Sequence, residues 1–285
     1  MFIKVTHSRR AVLTIIVASG LISSAYGVNR APGDFPGTVS QWHGFVQFDF
    51  KLDDFDCRVV KPRQVAQGNP WIWRARFWGH EPQTETALLK KGFHVAYCDV
   101  ANLWGNAAAI SRWDRFYEYL TDQHALSRRP ALLGMSRGGL IIYHWAILHP
   151  TQVSCIYADA PAMGLRPYVR DLEEGDPGLE RLKGWMEAHS LTLQAAKKYT
   201  LDALDRLRPL AEAEVPVIHV CGDADESVPI EEHTAEFARR YRKLGGSVKV
   251  IVKKGGAHHP HSLKDPTPIV EFILAHQTPN DSRKP

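Results

Sequence analysis

The chain has 285 residues, 44% of them hydrophobic and 23% charged, the proportions of an ordinary globular protein of one large domain or two small ones. Its formal net charge of +4 is unevenly placed: Lys4, Arg9 and Arg10 lie in the first 27 residues, which hold no acidic residue, and beyond them 32 basic residues face 31 acidic ones. A nearly neutral body offers no electrostatic support for nucleic-acid binding.

In chain order, a basic segment from Lys4 to Arg10 precedes an apolar stretch from Ala11 to about Ile22, and Ala25-Tyr26-Gly27 fits an A-x-A-like cleavage site. Residues 1–27 therefore read as a signal peptide and the expected location is secreted or periplasmic. The apolar stretch is short for a membrane span of about 20 residues, so no stable span is expected after cleavage. Ser8-Arg9-Arg10-Ala11-Val12-Leu13 resembles a twin-arginine export signal, with Val12 where that consensus prefers Phe. A general secretory signal and an uncleaved anchor are the alternatives. Residues 28–40 are rich in Gly and Pro and read as a flexible lead-in. Residues 41–277 form the expected main domain, and 278–285 a tail.

Within the domain, Trp42 to Phe50 and Phe55 to Val60 read as an antiparallel hairpin turning at Asp53-Asp54, and Pro70 to Phe77 as a third strand. Strands and helices then alternate. Helices are expected at Thr84–Lys91, Ala107–Leu126, Leu140–Leu148, Glu231–Leu244 and Pro268–His276. Strands are expected at Phe93–Cys98, Ala131–Gly134, Val153–Tyr157, Val217–Val220 and Ser247–Val252. This rhythm predicts an α/β class with a mostly parallel central sheet, helices on both faces and an antiparallel N-terminal hairpin. Residues 161–216 break the rhythm and read as a helical cap inserted over the carboxyl edge of the sheet. Of the four cysteines, Cys98, Cys155 and Cys221 sit in apolar strand-like runs, and none has a CxxC partner. Free buried thiols are expected rather than a disulfide framework or a metal motif.

Gly134-Met135-Ser136-Arg137-Gly138-Gly139 is a G-x-S-x-G motif between an apolar strand and an apolar helix, the context that gives it meaning. A tight strand-to-helix turn presents the Ser136 hydroxyl to a base without crowding. Gly134 and Gly138 are expected to permit the close approach of strand and helix. Ser136 also falls near a helix N-terminus, whose dipole favours developing negative charge.

This elbow, together with Cys221-Gly222-Asp223-Ala224-Asp225 and Gly255-Gly256-Ala257-His258, resembles the α/β-hydrolase superfamily, in its serine esterase and prolyl-oligopeptidase-like branches. The resemblance covers about Trp42 to His276 and implies a Ser-Asp-His triad. Ser136 matches the nucleophile, Asp225 the acid in a G-x-x-D-x-x-V-P segment, and His258 the base, although Ala257 stands where that family carries Gly. Asp159 is the runner-up acid, Asp223 a loop-bracing residue, and His259 and His261 the competitors for the base. Metal binding by His258, His259 and His261 is disfavoured, because adjacent histidines reach one ion poorly and no Cys or acidic cluster is near. No cofactor or metal is implied.

The resemblance places one oxyanion donor at the Arg137 N–H and the other in the loop Ala75 to His80, for which Phe77 is favoured and Trp78 is the alternative. Trp78, Asn102, Trp104 and Trp185 are candidate substrate-lining residues, although tryptophans buried in an ordinary core explain these rings nearly as well. The expectation is an exported serine hydrolase that cleaves carboxylic esters through an acyl-enzyme, its substrate a small-molecule or carbohydrate ester. The alternatives are a prolyl-oligopeptidase-like peptidase, a branch that often carries a propeller domain for which this chain has no room, and a silent hydrolase fold acting as a binding protein.

Overall fold

Phe45–Leu52 (β2) and Phe55–Lys61 (β3), whose side chains alternate between core and outside over Phe48 to Lys51 and Phe55 to Val59, pair antiparallel across the turn at Asp53, which is left-handed at φ 53°. The computed structural model describes residues 34–277; the expected signal peptide and tail lie outside them. One further strand, β1 (Thr38–Trp42), pairs antiparallel with the outer side of β2. It starts inside the stretch expected to be a lead-in. Gly37 turns the chain onto β2 at φ 89°, where a Cβ would fall 1.9 Å from the Asp49 carbonyl oxygen, so the glycine that reads as loop composition is a strand-entry requirement.

From β3 the sheet continues through β5 (His94–Cys98), β4 (Trp71–Arg74), β6 (Ala131–Met135), β7 (Cys155–Asp159), β8 (Val217–Gly222) and β9 (Val248–Lys253). The β3–β5 pair is antiparallel and every later pair is parallel. β4 to β8 are buried at every residue, as strands covered on both faces must be. One face is covered by α1 (Gln83–Lys90) and α9 (Thr267–Ala275), whose Leu88, Leu89, Ile269 and Ile273 meet Ile72, Val95, Leu133 and Ile218. The other carries α2 (Ala107–Glu118), α3 (Gly138–Leu148) and α8 (Thr234–Lys243), with Trp113, Trp145 and Phe237 in one cluster with Trp73, Leu132 and Ile156. Trp73 and Trp113 stack with centroids 3.8 Å apart. This is the α/β-hydrolase fold.

Two expected elements end early. β4 stops at Arg74 rather than Phe77 because the chain then wraps around the buried Arg74 guanidinium. Arg74 pairs with Glu85 of α1, and donates to the carbonyls of Arg76 (2.9 Å) and His80 (2.6 Å). α2 gives way at Tyr119 to a π-helical turn through Gln123, where the Thr121 hydroxyl bonds back to the Tyr117 carbonyl at 2.9 Å. Between β7 and β8 lie the short helices α4 (Arg166–Val169), α5 (Lys183–Ala188), α6 (Leu193–Lys197) and α7 (Arg208–Glu212). Leu165, Val169, Leu182, Trp185 and Leu193 of this stretch gather against Leu140 of α3.

All four cysteines are free and buried, Cys57 and Cys98 facing each other across β3 and β5. Burial pushes Cys57 and Cys155 up to about 12 and Cys221 to about 11, so these thiols stay protonated at neutral pH.

The Arg74–Glu85 pair is almost wholly out of solvent, so removing one partner strands a buried charge. Glu85→Ala is expected to cost about 3–5 kcal/mol, read from the urea unfolding midpoint. A second expectation concerns pH. Burial pushes His94, His144 and His233 down to about 4 and His219 to about 3. The unfolded chain protonates these rings near pH 6.5 while the folded chain keeps them neutral, so the unfolded state binds more protons between pH 6.5 and 4. Stability therefore falls with pH there, by up to about 1.4 kcal/mol per unit per histidine. Asp202, pushed up to about 6 by burial, acts in the opposite sense over part of that window, one group against four. Thermal unfolding scanned from pH 7 to 4.5 is expected to show a steady loss of stability.

Candidate active site

β6 ends in Met135 and the chain turns through Ser136 at φ 49°, a left-handed backbone unusual for a residue with a Cβ. The turn is tied down from several directions. The Ser136 N–H donates to the Asp159 carbonyl at the end of β7, and the Ser136 carbonyl accepts from Gly139 and Ala162, each at 2.9 Å. A Cβ on Gly134 would stand 2.8 Å from the Gly138 carbonyl oxygen and one on Gly139 2.7 Å from that of Ala162, whereas one on Gly138 meets nothing closer than 3.7 Å. The close approach thus needs Gly134 and Gly139, and the role expected of Gly138 belongs to its neighbour.

The loop after β8 carries Asp225, 6% exposed. Its Oδ1 accepts from the backbone of Ser227 (2.9 Å) and Val228 (2.8 Å), and its Oδ2 lies 2.7 Å from His258 Nδ1. An ionised carboxylate only accepts, so the ring proton sits on Nδ1 and leaves Nε2 a lone pair. That Nε2 is 3.0 Å from Ser136 Oγ. Asp223 braces the same loops, accepting from the Gly255 N–H at 2.6 Å. The runner-up acid Asp159 serves a different ring: His261 Nδ1 lies 2.7 Å from its Oδ1, and Tyr157 and the Ser262 N–H donate to its Oδ2 at 2.8 Å.

The loop after β4 passes Phe77 at φ 55°, with its carbonyl accepting from His80 at 3.0 Å. Among the described residues, neither the Phe77 nor the Arg137 N–H donates to a protein carbonyl, which leaves both available to a bound oxygen. Beside the elbow lies a cleft of about 530 Å³ lined by Trp104, Arg137, Tyr168 and Leu182, with Glu226 and Ser227 from the loop after Asp225. The Arg137 guanidinium sits 4.5 Å from the Trp104 ring centroid, and the Trp104 carbonyl accepts from His189 of the inserted segment at 3.2 Å. Burial, and after it the like charge of nearby Arg137, pushes Arg76 down to about 10, still cationic at neutral pH.

The structure thus brings together Ser136, Asp225 and His258, with Arg137 next in the chain, Trp104 on the cleft wall, and the loop that carries Phe77 reaching the elbow where Ala75 and Arg76 face Gly138. The other three lining candidates sit elsewhere. Trp185, 2% exposed, is the centre of the apolar cluster under the insertion. Trp78 packs between the rings of Trp42 (5.2 Å) and Tyr97 (5.5 Å). Asn102 is exposed on the turn after β5 and does not line this cleft. Sequence reasoning missed Tyr168, whose hydroxyl donates to the Ser227 carbonyl (2.9 Å) and meets His233 Nε2 (2.8 Å), joining the insertion to the acid loop. Nothing local to its short helix marks it.

The sequence model of the prolyl oligopeptidase family matches residues 115–276, more than half of the chain, with Ser136, Asp225 and His258 all inside the match. The chain belongs to the prolyl oligopeptidase family. No curated protein matches it in sequence. Among solved structures, the acylaminoacyl peptidase of Pyrococcus horikoshii is similar with a TM-score of 0.62 at 16% identity, covering 84% of this chain and 42% of that one. Est1E from Butyrivibrio proteoclasticus is similar with a TM-score of 0.55 at 17% identity, covering 84% and 98%. Dipeptidyl peptidase 4 of Porphyromonas gingivalis has a TM-score of 0.59 at 15% identity, covering 78% and 34%. The chain spans less than half the length of both peptidases. At these identities the likeness is one of fold.

In this prolyl oligopeptidase family member the elbow glycines give a sharp contrast. Gly134→Ala is expected to destabilise the fold by about 1–3 kcal/mol through the Gly138 carbonyl clash, while Gly138→Ala, which meets only ordinary contacts, is expected to be neutral or to stabilise by about 0.4–1 kcal/mol. Paired urea titrations with hydrolysis rates check both.

Proposed function

We propose that the chain is an exported hydrolase of carboxylic esters that works through an acyl-enzyme. The observation that carries this reading is the bridging position of His258, 3.0 Å from Ser136 Oγ and 2.7 Å from Asp225 Oδ2. Ser136 Oγ attacks the ester carbonyl carbon while its proton passes to His258 Nε2, and Asp225 steadies the imidazolium. The N–H groups of Arg137 and Phe77 receive the developing oxyanion, each worth about 3 kcal/mol. Collapse expels the alcohol, protonated by His258. Water then attacks the acyl-Ser136 ester, gives its proton to His258, and the acid leaves with Ser136 regenerated.

Peptide hydrolysis uses the same steps and is the second reading. The charge of the cleft favours the first. Arg137 and Arg181 on its wall and Arg76 beside it outnumber the one carboxylate there, Glu226, a balance that suits a substrate carrying a carboxylate or many hydroxyl oxygens over one with an ammonium terminus. Acyl groups on carbohydrate, acidic carbohydrate in particular, fit that environment beside the half-buried Trp104. Export rests on the pattern of residues 1–27, and a mature chain beginning near Val28 in N-terminal sequencing of the protein from its own host is the outcome it requires.

The purified protein is expected to turn over p-nitrophenyl acetate and acylated sugars faster than aminoacyl-naphthylamides. Ser136→Ala is expected to lose about 10⁵–10⁶-fold in kcat. Full turnover by that variant would remove the mechanism, and a preference for the naphthylamides would select the peptidase reading. Arg137→Ala, which keeps the backbone N–H, is expected to raise KM for carboxylate-bearing esters by about 10–100-fold, the size of a lost charge-assisted hydrogen bond, and to leave neutral esters far less affected.

A further inference from the structure

A second group of imidazoles lies beside the triad and takes no part in the chemistry described so far. The loop after β4 brings His80 against His259 and His261, residues some 180 positions away in sequence. Ring centroids are 5.7 Å apart for His80–His259 and for His80–His261, and 4.8 Å for His259–His261. One ring nitrogen from each lies within 4.8 Å of the others. The sequence argued against a metal on His258, His259 and His261; in the structure His258 has both nitrogens engaged, by Asp225 and Ser136. His80 replaces it and removes the difficulty of asking consecutive side chains to reach one ion.

The inner member of the group is already oriented as a ligand. His261 is 3% exposed and its Nδ1 faces Asp159 Oδ1 at 2.7 Å. Asp159 is fully buried, and its second oxygen is occupied by Tyr157 and the Ser262 N–H. The carboxylate therefore holds the proton on Nδ1 and leaves Nε2 with a lone pair for an ion. A buried carboxylate behind an imidazole, fixing its tautomer and raising its basicity, is the supporting arrangement behind metal-bound histidines. His80 and His259 are exposed, so an ion can enter from solvent. The His80 backbone is pinned by Arg74 through its carbonyl and by Phe77 through its N–H, while its side chain is exposed. Zinc bonded to imidazole at about 2.0–2.1 Å in tetrahedral geometry needs nitrogens about 3.4 Å apart, a closure that modest rotation of two exposed rings supplies.

We propose that His80, His259 and His261 form a binding site for one divalent first-row transition cation of the zinc, copper or nickel class, with Asp159 as the supporting carboxylate and water completing the shell. Three neutral imidazoles with no carboxylate in direct contact suit these ions and not magnesium or calcium, which require oxygen donors. The site borders the catalytic ring, His258 lying 5.0 Å from the His259 centroid and 4.8 Å from that of His261.

The test is a zinc titration of the full chain after stripping with a chelator, followed by competition with a chromophoric chelator. One equivalent bound is expected, with no comparable uptake of magnesium. His80→Ala and His259→Ala are each expected to weaken binding at least tenfold, and Asp159→Asn by about 10–100-fold. His258→Ala is expected to keep the one equivalent. Circular dichroism separates loss of a ligand from loss of fold, and the exposed His80→Ala and His259→Ala carry the result if Asp159→Asn does not fold. Copper(II) bound to the chain is expected to give an electron paramagnetic resonance spectrum with coupling to three nitrogens. Absence of stoichiometric zinc binding, binding unchanged in the His80→Ala, His259→Ala double variant, or binding abolished by His258→Ala alone would each overturn the proposal.

Discussion

At the end of β6 the backbone is forced through a left-handed serine, a conformation costing on the order of 1–3 kcal/mol that persists only where the surroundings leave no alternative. Here they leave none: β7 receives the Ser136 N–H, the first turn of α3 and the strand-to-insertion crossing both donate to its carbonyl, and two glycines clear the space. The same sheet edge holds Phe77, Trp104 and Ala160 with positive φ. Strain is therefore collected where the parallel strands end, on a sheet whose buried, β-branched and aromatic interior stabilises it. That concentration fixes the positions of a hydroxyl, an imidazole and two N–H groups that have no protein acceptor among the described residues, the preorganisation that the proposed reaction calls for.

The segment between β7 and β8 depends on this edge as much as it covers it. Its apolar cluster closes against Leu140 in the helix that follows the elbow, and its polar ties run to Trp104 through His189 and to the acid loop through Tyr168. Movement of the insertion would disturb the cleft wall and the residues flanking Asp225 together. A cleft of about 530 Å³ is ample for one acyl group or one sugar ring.

The parts of the site legible in the sequence were those written in short, local patterns. The elbow, the segment around Asp225 and the segment around His258 each carry their geometry within a few residues, because a strand end and a tight loop leave few orientations for a side chain. Side chains on short helices carry no such information. Trp185 reads equally well as a substrate platform and as a core residue, and only the direction of α5 decides between them. The glycine assignment slipped by one position, since sequence shows that the elbow needs small residues without showing which meets a backbone oxygen. β1 was hidden by its Gly-Pro-rich approach. The meeting of His80 with His259 and His261 was invisible for a simpler reason: it depends on the sheet order, in which β4 lies inside β5 next to β6.

The four thiols are shielded from oxidants only while the sheet is intact. Each is held in its neutral form by the packing around it, so the native molecule has no reactive sulfur to offer. An opened chain in oxidising surroundings presents four sulfurs of ordinary reactivity, with no native bridge to guide their pairing. Scrambled cross-links would then trap it. Outside a reducing compartment, the working life of this molecule is governed by how seldom it opens rather than by how favourably it closes.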